Sequence, residues 1–273
     1  MSTVLRTLQS RRGVTDGLAR LYEYRELLQN WTLREIKSRY RQSVLGFGWA
    51  IVQPVFQMVV ISIIFGSFLH VPSGNVPYPV FAYVALLPWT FFSGAINTAV
   101  PSLLTNMDLV TKIYFPREVL PLSSIVARLA DLVVASVVFV GMMAWYRLPI
   151  HFTLIFVPVL ILILLLLAIG VGLLGAAVSV FLRDISFAVP LGMQLWMYAS
   201  PVIYPITQVP ERWRWLYMLN PMAGIIDSFR RVVLDGLWPD PFYLGLAGGV
   251  SFVLCIIAYA NFKRLEMAMS DII

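Results

Sequence analysis

Between Gln42 and Met107 the chain carries no Lys, Arg, Asp or Glu, and the stretches Leu148 to Leu182 and Ile185 to Pro210 are likewise uncharged. Each run is long enough to cross a bilayer as a helix, which takes about 20 apolar residues. An ordinary soluble core is excluded: charged residues make up 12% of the chain and hydrophobic ones 59%, against roughly 25% charged in soluble domains. The net charge of +6 does not signal nucleic acid, because nine of the twenty Lys and Arg residues precede residue 47, where they can face anionic lipid headgroups. Cys255 is the only cysteine, so no intrachain disulfide framework exists. The first 46 residues are polar and basic, and the first apolar run is too long for a cleavable signal, so the N-terminus reads as mature sequence.

Apolar runs and their breakers predict an all-α integral membrane protein with six spans, at 47–69, 80–104, 119–146, 152–181, 187–204 and 241–262. A cytoplasmic segment 1–46 precedes a membrane domain 47–262 and a tail 263–273. With both termini in the cytoplasm, the inner segments hold 14 Lys and Arg and the outer ones 5, the bias that sets membrane orientation. The fourth span is long and the fifth, at about 18 residues, is barely sufficient. No internal repeat is evident, which weighs against an inverted-repeat secondary transporter.

In the basic segment the apolar stripe changes phase near residue 30. Tyr24, Leu27, Leu28 and Trp31 share one face, and Leu33, Ile36, Tyr40 and Val44 another. Two helices are predicted to meet there, with Thr32 and Glu35 as a capping box opening the second at Leu33. Its narrow stripe and its flank of Arg34, Lys37 and Arg41 suit the inner headgroup plane, either as an electrostatic anchor or as a docking surface for a cytoplasmic partner. Gly46 and Gly48 turn the chain into the first span.

Farther on, Asn106 is suited to cap a short helix with Asp108 in its first turn, and Pro116 ends it after about two turns. Leu109, Ile113 and Tyr114 would form the ridge of this cytoplasmic peg. The outer segment 205–240 is unusually apolar, with Met222, Ile225, Ile226, Phe229 and Val233 at helical spacing. Two short helices broken near Asn220-Pro221 would satisfy its backbone at membrane depth. Arg128 and Asp131 lie three apart in the third span, which reads first as an intrahelical ion pair and alternatively as a pore contact. Gly170-Val-Gly-Leu-Leu-Gly175 matches a dinucleotide fingerprint, but within a long transmembrane helix its small residues, with Ala168, Gly172 and Ala176 in register, suit helix packing. His70 and His151 form no metal-ligand or catalytic pattern.

Several blocks in this order resemble the permease subunits of type-2 ABC exporters that move lipid-linked polysaccharides such as O-antigen or teichoic acid. These are Ile36-Lys37-Ser38-Arg39-Tyr40 with Leu45-Gly46-Phe47-Gly48-Trp49, Leu109 through Glu118, Arg183-Asp184-Ile185, and Ser200-Pro201-Val202-Ile203-Tyr204-Pro205 with Leu219-Asn220-Pro221. The resemblance implies that residues 107–116 form the coupling helix seated in an ATPase. Asp108, Leu109, Val110, Lys112, Ile113, Tyr114, Phe115, Pro116, Arg117 and Glu118 would then be contacts, together with Arg183 and Asp184. It implies an amphipathic interface helix carrying Arg34, Lys37, Arg39, Tyr40 and Arg41, and re-entrant outer helices whose Asn220, Pro221, Met222, Ile225, Ile226 and Phe229 frame a gate. Trp89, Phe91, Phe92, Trp196, Tyr198 and Tyr204, with Arg128, would line the sugar path.

The chain contains no phosphate loop, so it is expected to bind no cofactor, with ATP and Mg used by a separate ATPase. The implied assembly is two copies of this chain and two ATPase subunits, exporting a lipid-linked polysaccharide, O-antigen first and teichoic acid or capsule next, across a bacterial inner membrane. An ion-coupled transporter has only Asp131 as a mid-membrane acid. A membrane glycosyltransferase would have to draw on Asp184, Glu211, Asp227, Asp235 and Asp240, which are scattered over both sides.

Overall fold

A computed structural model describes residues 23–41, 45–112 and 115–272, and among them all regular structure is helical. The helices are α1 (Arg25–Tyr40), α2 (Trp49–Ile61, continued by a π-helical Ser62–Phe68), α3 (Tyr78–Ala99), α4 (Ser102–Thr105), α5 (Met107–Lys112), α6 (Val119–Trp145), α7 (Val157–Phe181, preceded by a 3-10 turn Phe152–Phe156), α8 (Asp184–Tyr198), α9 (Glu211–Tyr217), α10 (Pro221–Val233) and α11 (Pro241–Ile272). Five stretches are long and apolar enough to span a membrane: Trp49–Phe68, Tyr78–Ala99, Val119–Trp145, Phe152–Phe181 and Pro241–Glu266.

The fifth predicted span differs. It is the 15-residue α8, about 22 Å long against a hydrocarbon core of about 30 Å. It still runs from one end of the bundle to the other, because the chain covers the remaining distance as an irregular turn through 199–205. At its start, Phe181 packs with Val110 and Leu103. Beyond its end, the carbonyl of Ile203 accepts from the Tyr78 hydroxyl at 2.6 Å. The start of α1 and the end of α11 therefore lie at the same end of the bundle as α5, and 199–205 with α10 lie at the other.

Helix α3 sits at the centre, with Val80 through Leu86 all buried. Helix α7 packs against it and against α11 through its small residues. A Cβ on Gly175 would lie 2.5 Å from Val100, and one on Gly170 would lie 3.1 Å from the Cys255 backbone. In lipid, where apolar burial gives little drive for helices to associate, such close approach supplies the dispersion contact that holds them. The glycine fingerprint is thus a packing face. The outward sides of α2, α6 and α8, among them Phe56, Val137, Phe187 and Leu195, are exposed and apolar, as a lipid-facing surface requires.

Helix α1 corrects the reading of two helices. It is continuous through Thr32, whose hydroxyl donates to the Leu28 carbonyl at 2.7 Å, while Glu35 accepts from the Ser124 hydroxyl of α6 at 3.4 Å. The half-buried positions 24, 27, 28, 31, 32, 35, 36 and 39 form one unbroken stripe, and Leu33 is exposed. The apolar pattern changes phase because the second half of the buried stripe holds Thr32, Glu35 and Arg39 beside Ile36, with Glu35 and Arg39 meeting partners on α6. Val44 and the Tyr40 side chain lie outside the described residues. At Gly46, a φ of +50° permits the turn into α2.

Candidate functional site

Four helices present one side each to a groove of about 670 Å³: Gln53, Pro54 and Gln57 from α2, Trp89, Thr90, Phe91, Ser93, Gly94 and Asn97 from α3, Arg128, Asp131, Leu132 and Ala135 from α6, and Pro190, Met193, Gln194 and Met197 from α8. Arg39 of α1 and Trp49 complete the end nearest α5. The positions recur at three, four and seven residues, so each helix turns a single stripe inward. The combination of amides, hydroxyls and aromatic rings at membrane depth suits a polyhydroxylated ligand, which needs both hydrogen bonds and flat apolar faces.

The charged end of the groove is a triad. Arg39 Nη1 lies 2.8 Å from Asp131 Oδ2, and Arg128 Nη1 lies 3.1 Å from the same oxygen. Gly94 leaves room for it, since a Cβ there would stand 3.3 Å from the Arg128 guanidinium. The pair expected within α6 is present, and Arg39, expected only as a residue of the interface helix, is turned inward as its second cation.

Of the seven expected channel-lining residues, Trp89, Phe91 and Arg128 line the groove. The other four fix the turn at 199–205 and the helices beyond it. Phe92 is buried edge-on against Trp196, with ring centroids 5.1 Å apart. Trp196 donates its indole N–H to Asn220 Oδ1 at 3.0 Å. The Tyr204 hydroxyl bonds the Tyr198 carbonyl and meets the Tyr217 hydroxyl, each at 3.0 Å, while Tyr198 itself is exposed. Gln53, Ser93, Asn97 and Gln194 were not singled out in the sequence. Their signal is polar residues recurring at helical spacing inside uncharged runs.

The break at Asn220-Pro221 is real. Asn220 caps α10 through its side-chain oxygen on the Met222 N–H at 3.1 Å, and its amide donates to Ser200 Oγ at 2.9 Å. Met222, Ile225, Ile226 and Phe229, expected to frame a gate, pack inside the core of the chain, and none lines the groove. Their apolar spacing demanded burial, and neighbouring helices of the same chain supply it. Arg230 is buried there as well. Its guanidinium donates to the carbonyls of Pro201, Val202 and Tyr204 and stacks over Phe81 at 3.7 Å.

At the opposite end, α5 exposes Asp108, Thr111 and Lys112 and buries Val110 against Leu103 and Phe181. The Asn106 side-chain amide donates to the Ser102 carbonyl at 2.9 Å, closing α4, rather than opening α5 as expected. Ile113 and Tyr114 lie outside the described residues, so the expected ridge is seen only at the half-buried Leu109. Phe115, Pro116 and Glu118 face inward, where they seat the peg. Glu118 is fully buried and lies 2.6 Å from Lys263 of α11, and Arg117 donates to Glu266 through both its backbone and its guanidinium. Burial, then the nearby Glu266, raises the Glu118 pKa against the pull of Lys263. Arg183 and Asp184 are exposed at the start of α8, while Lys37 and Arg41 are exposed on or just beyond α1 and Arg34 stacks on Trp31 at 4.4 Å.

A family model described as ABC-2 type transporter matches residues 26–234, which takes in the whole groove and peg. The chain belongs to the ABC-2 type transporter family. This ABC-2 membrane chain is 34% identical to the O-antigen export system permease protein RfbA of Myxococcus xanthus over 92% of its own length and 97% of that protein's. It is 27% identical to the RfbA permease of Klebsiella pneumoniae, covering 91% and 95%, and 26% identical to the polysialic acid transport protein KpsM of Escherichia coli, covering 87% and 92%. The resemblance read from the sequence blocks is thereby confirmed, and the ABC-2 chain is a multi-pass membrane protein whose relatives are permease subunits.

Proposed function

We propose that the chain is the permease subunit of an ATP-driven exporter that moves a lipid-linked polysaccharide, O-antigen first, from the cytoplasm to the outer side of a bacterial inner membrane. The observation that carries this reading is the groove. It is the one described cavity in which Trp89, Phe91, Thr90, Asn97 and two glutamines meet at membrane depth, as a sliding sugar chain needs. A second copy of the chain closes the groove into a channel. The end bearing α5 faces the cytoplasm, where the exposed Asp108, Thr111, Lys112, Arg183 and Asp184 receive two ATPase subunits that use ATP and Mg. The relatives named for O-antigen export and for polysialic acid transport support the polysaccharide class, and the latter keeps capsule polymer as a second reading.

The test is deletion of the gene, with analysis of surface polysaccharide and of polymer retained in the cytoplasm. Expected is loss of the surface polymer with cytoplasmic accumulation, restored by the wild-type chain but not by a groove variant such as Asn97→Leu with Gln53→Leu. Unchanged surface polysaccharide in the deletion strain overturns the reading, and the composition of the trapped polymer decides between O-antigen and capsule.

A further inference from the structure

Helix α11 lends no residue to the groove, yet it is fastened at both ends of the bundle. At the inner end, Lys263 Nζ lies 2.6 Å from Glu118 Oε1 and 2.9 Å from Glu266 Oε2, and Glu266 accepts from the Arg117 N–H at 3.2 Å. Arg117 and Glu118 directly follow Pro116, so the tie grips the chain where the peg ends. Glu118 is fully buried, and a buried carboxylate deprived of its cation is strongly destabilised, so this attachment resists separation. Phe262, next to Lys263 and fully buried, shares an apolar cluster with Val110 of the peg. At the outer end, α10 is in close backbone contact with α11: a Cβ at Gly224 would lie 3.0 Å from both the Tyr243 carbonyl oxygen and the Ala247 Cβ. Asp240 Oδ1 accepts from the Phe242 and Tyr243 N–H groups at 3.0 and 3.3 Å, which fixes the first turn of α11 at that contact. Farther along α10, Arg230 holds the carbonyls of Pro201, Val202 and Tyr204, just after α8 leaves the groove wall.

We propose that α11 is a connecting rod that carries a displacement of the peg to the outer turn, with Lys263 as its inner attachment and the Gly224 contact as its outer one. Between Tyr243 and Lys263 the helix is continuous over about 30 Å. A helix in lipid keeps its length and direction, because breaking its backbone hydrogen bonds there leaves polar groups unsatisfied. Packed contacts at both ends join it to the two sites as one contiguous network. A shift of the peg thus reaches α10 without passing along the groove, and Arg230 passes it to the turn at 201–204 and so to α8. Lys263 is a positioning residue that touches neither cargo nor nucleotide. The inference rests on the reading of α5 as the seat of the ATPase.

The test uses the full chain assembled with its ATPase in nanodiscs, with Cys255→Ala and Gln208→Cys leaving one cysteine in the permease. Gln208 is exposed just beyond the outer turn, and the cysteine there is reacted with a membrane-impermeant maleimide with and without ATP and vanadate. Nucleotide is expected to change the labelling rate. Lys263→Gln is expected to reduce that change by about threefold or more, while melting temperature, ATPase co-purification and ATP hydrolysis stay near the parent values. A merely structural role would lower those three instead, and that outcome overturns Lys263 as the attachment. Lys263→Arg, which keeps the charge, is expected to restore the response. Should Lys263→Gln fail to fold, Gly224→Val, which wedges α10 from α11 far from the peg, is expected to lose the response with hydrolysis retained. A labelling rate indifferent to nucleotide in the parent chain overturns the rod. A full response in both variants, with the ATPase complex intact, overturns the rod alone and sends the motion through α6, which continues directly from the peg. Failure of any ATPase to co-purify overturns the reading of the seat, and the rod with it.

Discussion

Arg39 and Asp131, 92 positions apart in the chain, meet at 2.8 Å and join the first helix to the middle of the third span. Both side chains are more than four-fifths buried, so the contact is worth more than a surface pair. In a double-mutant cycle with Arg39→Ala and Asp131→Ala, the coupling energy is expected at about 1–3 kcal/mol, measured by unfolding in detergent. Additive effects of the two substitutions would show that α1 is held by its other contacts alone.

The peg separates a seating face from a free face. Val110→Asp places a charge in the cluster around Leu103 and Phe181 and is expected to cost several kcal/mol, lowering expression and melting temperature. Asp108→Lys with Lys112→Glu changes only exposed side chains. It is expected to leave the melting temperature within a degree or two while abolishing co-purification of the ATPase. Full ATPase recovery with that double variant would place the docking surface elsewhere.

Arg230 ties three carbonyls of the turn at 201–204 that closes the short span. Arg230→Met would leave these acceptors buried and unpaired, and a loss of about 3–5 kcal/mol is expected. Arg230→Lys should recover only part of it, because an ammonium does not spread across the three carbonyls. Thermal unfolding followed by size-exclusion chromatography measures the order of the three proteins, wild type first.

Gly175 and Gly249 provide a contrast in one substitution. A Cβ at Gly175 strikes Val100, the residue that ends α3, whereas one at Gly249 meets nothing within 4 Å. Gly175→Val is expected to push α7 from α3 and lower the melting temperature by several degrees, and Gly249→Val to be nearly neutral. Equal effects of the two would remove the close-packing account of the glycine run.

Glu118 gives a pH dependence whose sign follows from its raised pKa. The folded state holds this proton more tightly than the unfolded chain does. Its contribution is therefore complete at low pH and is lost as pH rises through the elevated folded value. The melting temperature of the wild type is expected to fall more steeply above the ordinary carboxylate range than that of Glu118→Gln. Parallel curves would show that Lys263 fully compensates the buried charge.

That the chain is a helical membrane protein follows from its uncharged runs alone, because backbone groups in lipid must be satisfied within helices and such runs leave no other solvent for them. Features written in adjacent residues were legible for the same local reason: the turn at Gly46, the pair Arg128 and Asp131, and the helix start at Asn220-Pro221. Which side of each helix meets protein is visible only once the helices are packed together. In lipid both the buried and the outward faces are apolar, so periodicity does not distinguish Phe229, which is packed in the core, from Phe187, which faces outward. Polar stripes also changed meaning in three dimensions. The break in the apolar stripe at Thr32 looked like a helix end, yet it is the stretch where α1 turns Glu35 and Arg39 toward partners on α6, contacts that exist only because residues some ninety positions apart are brought together.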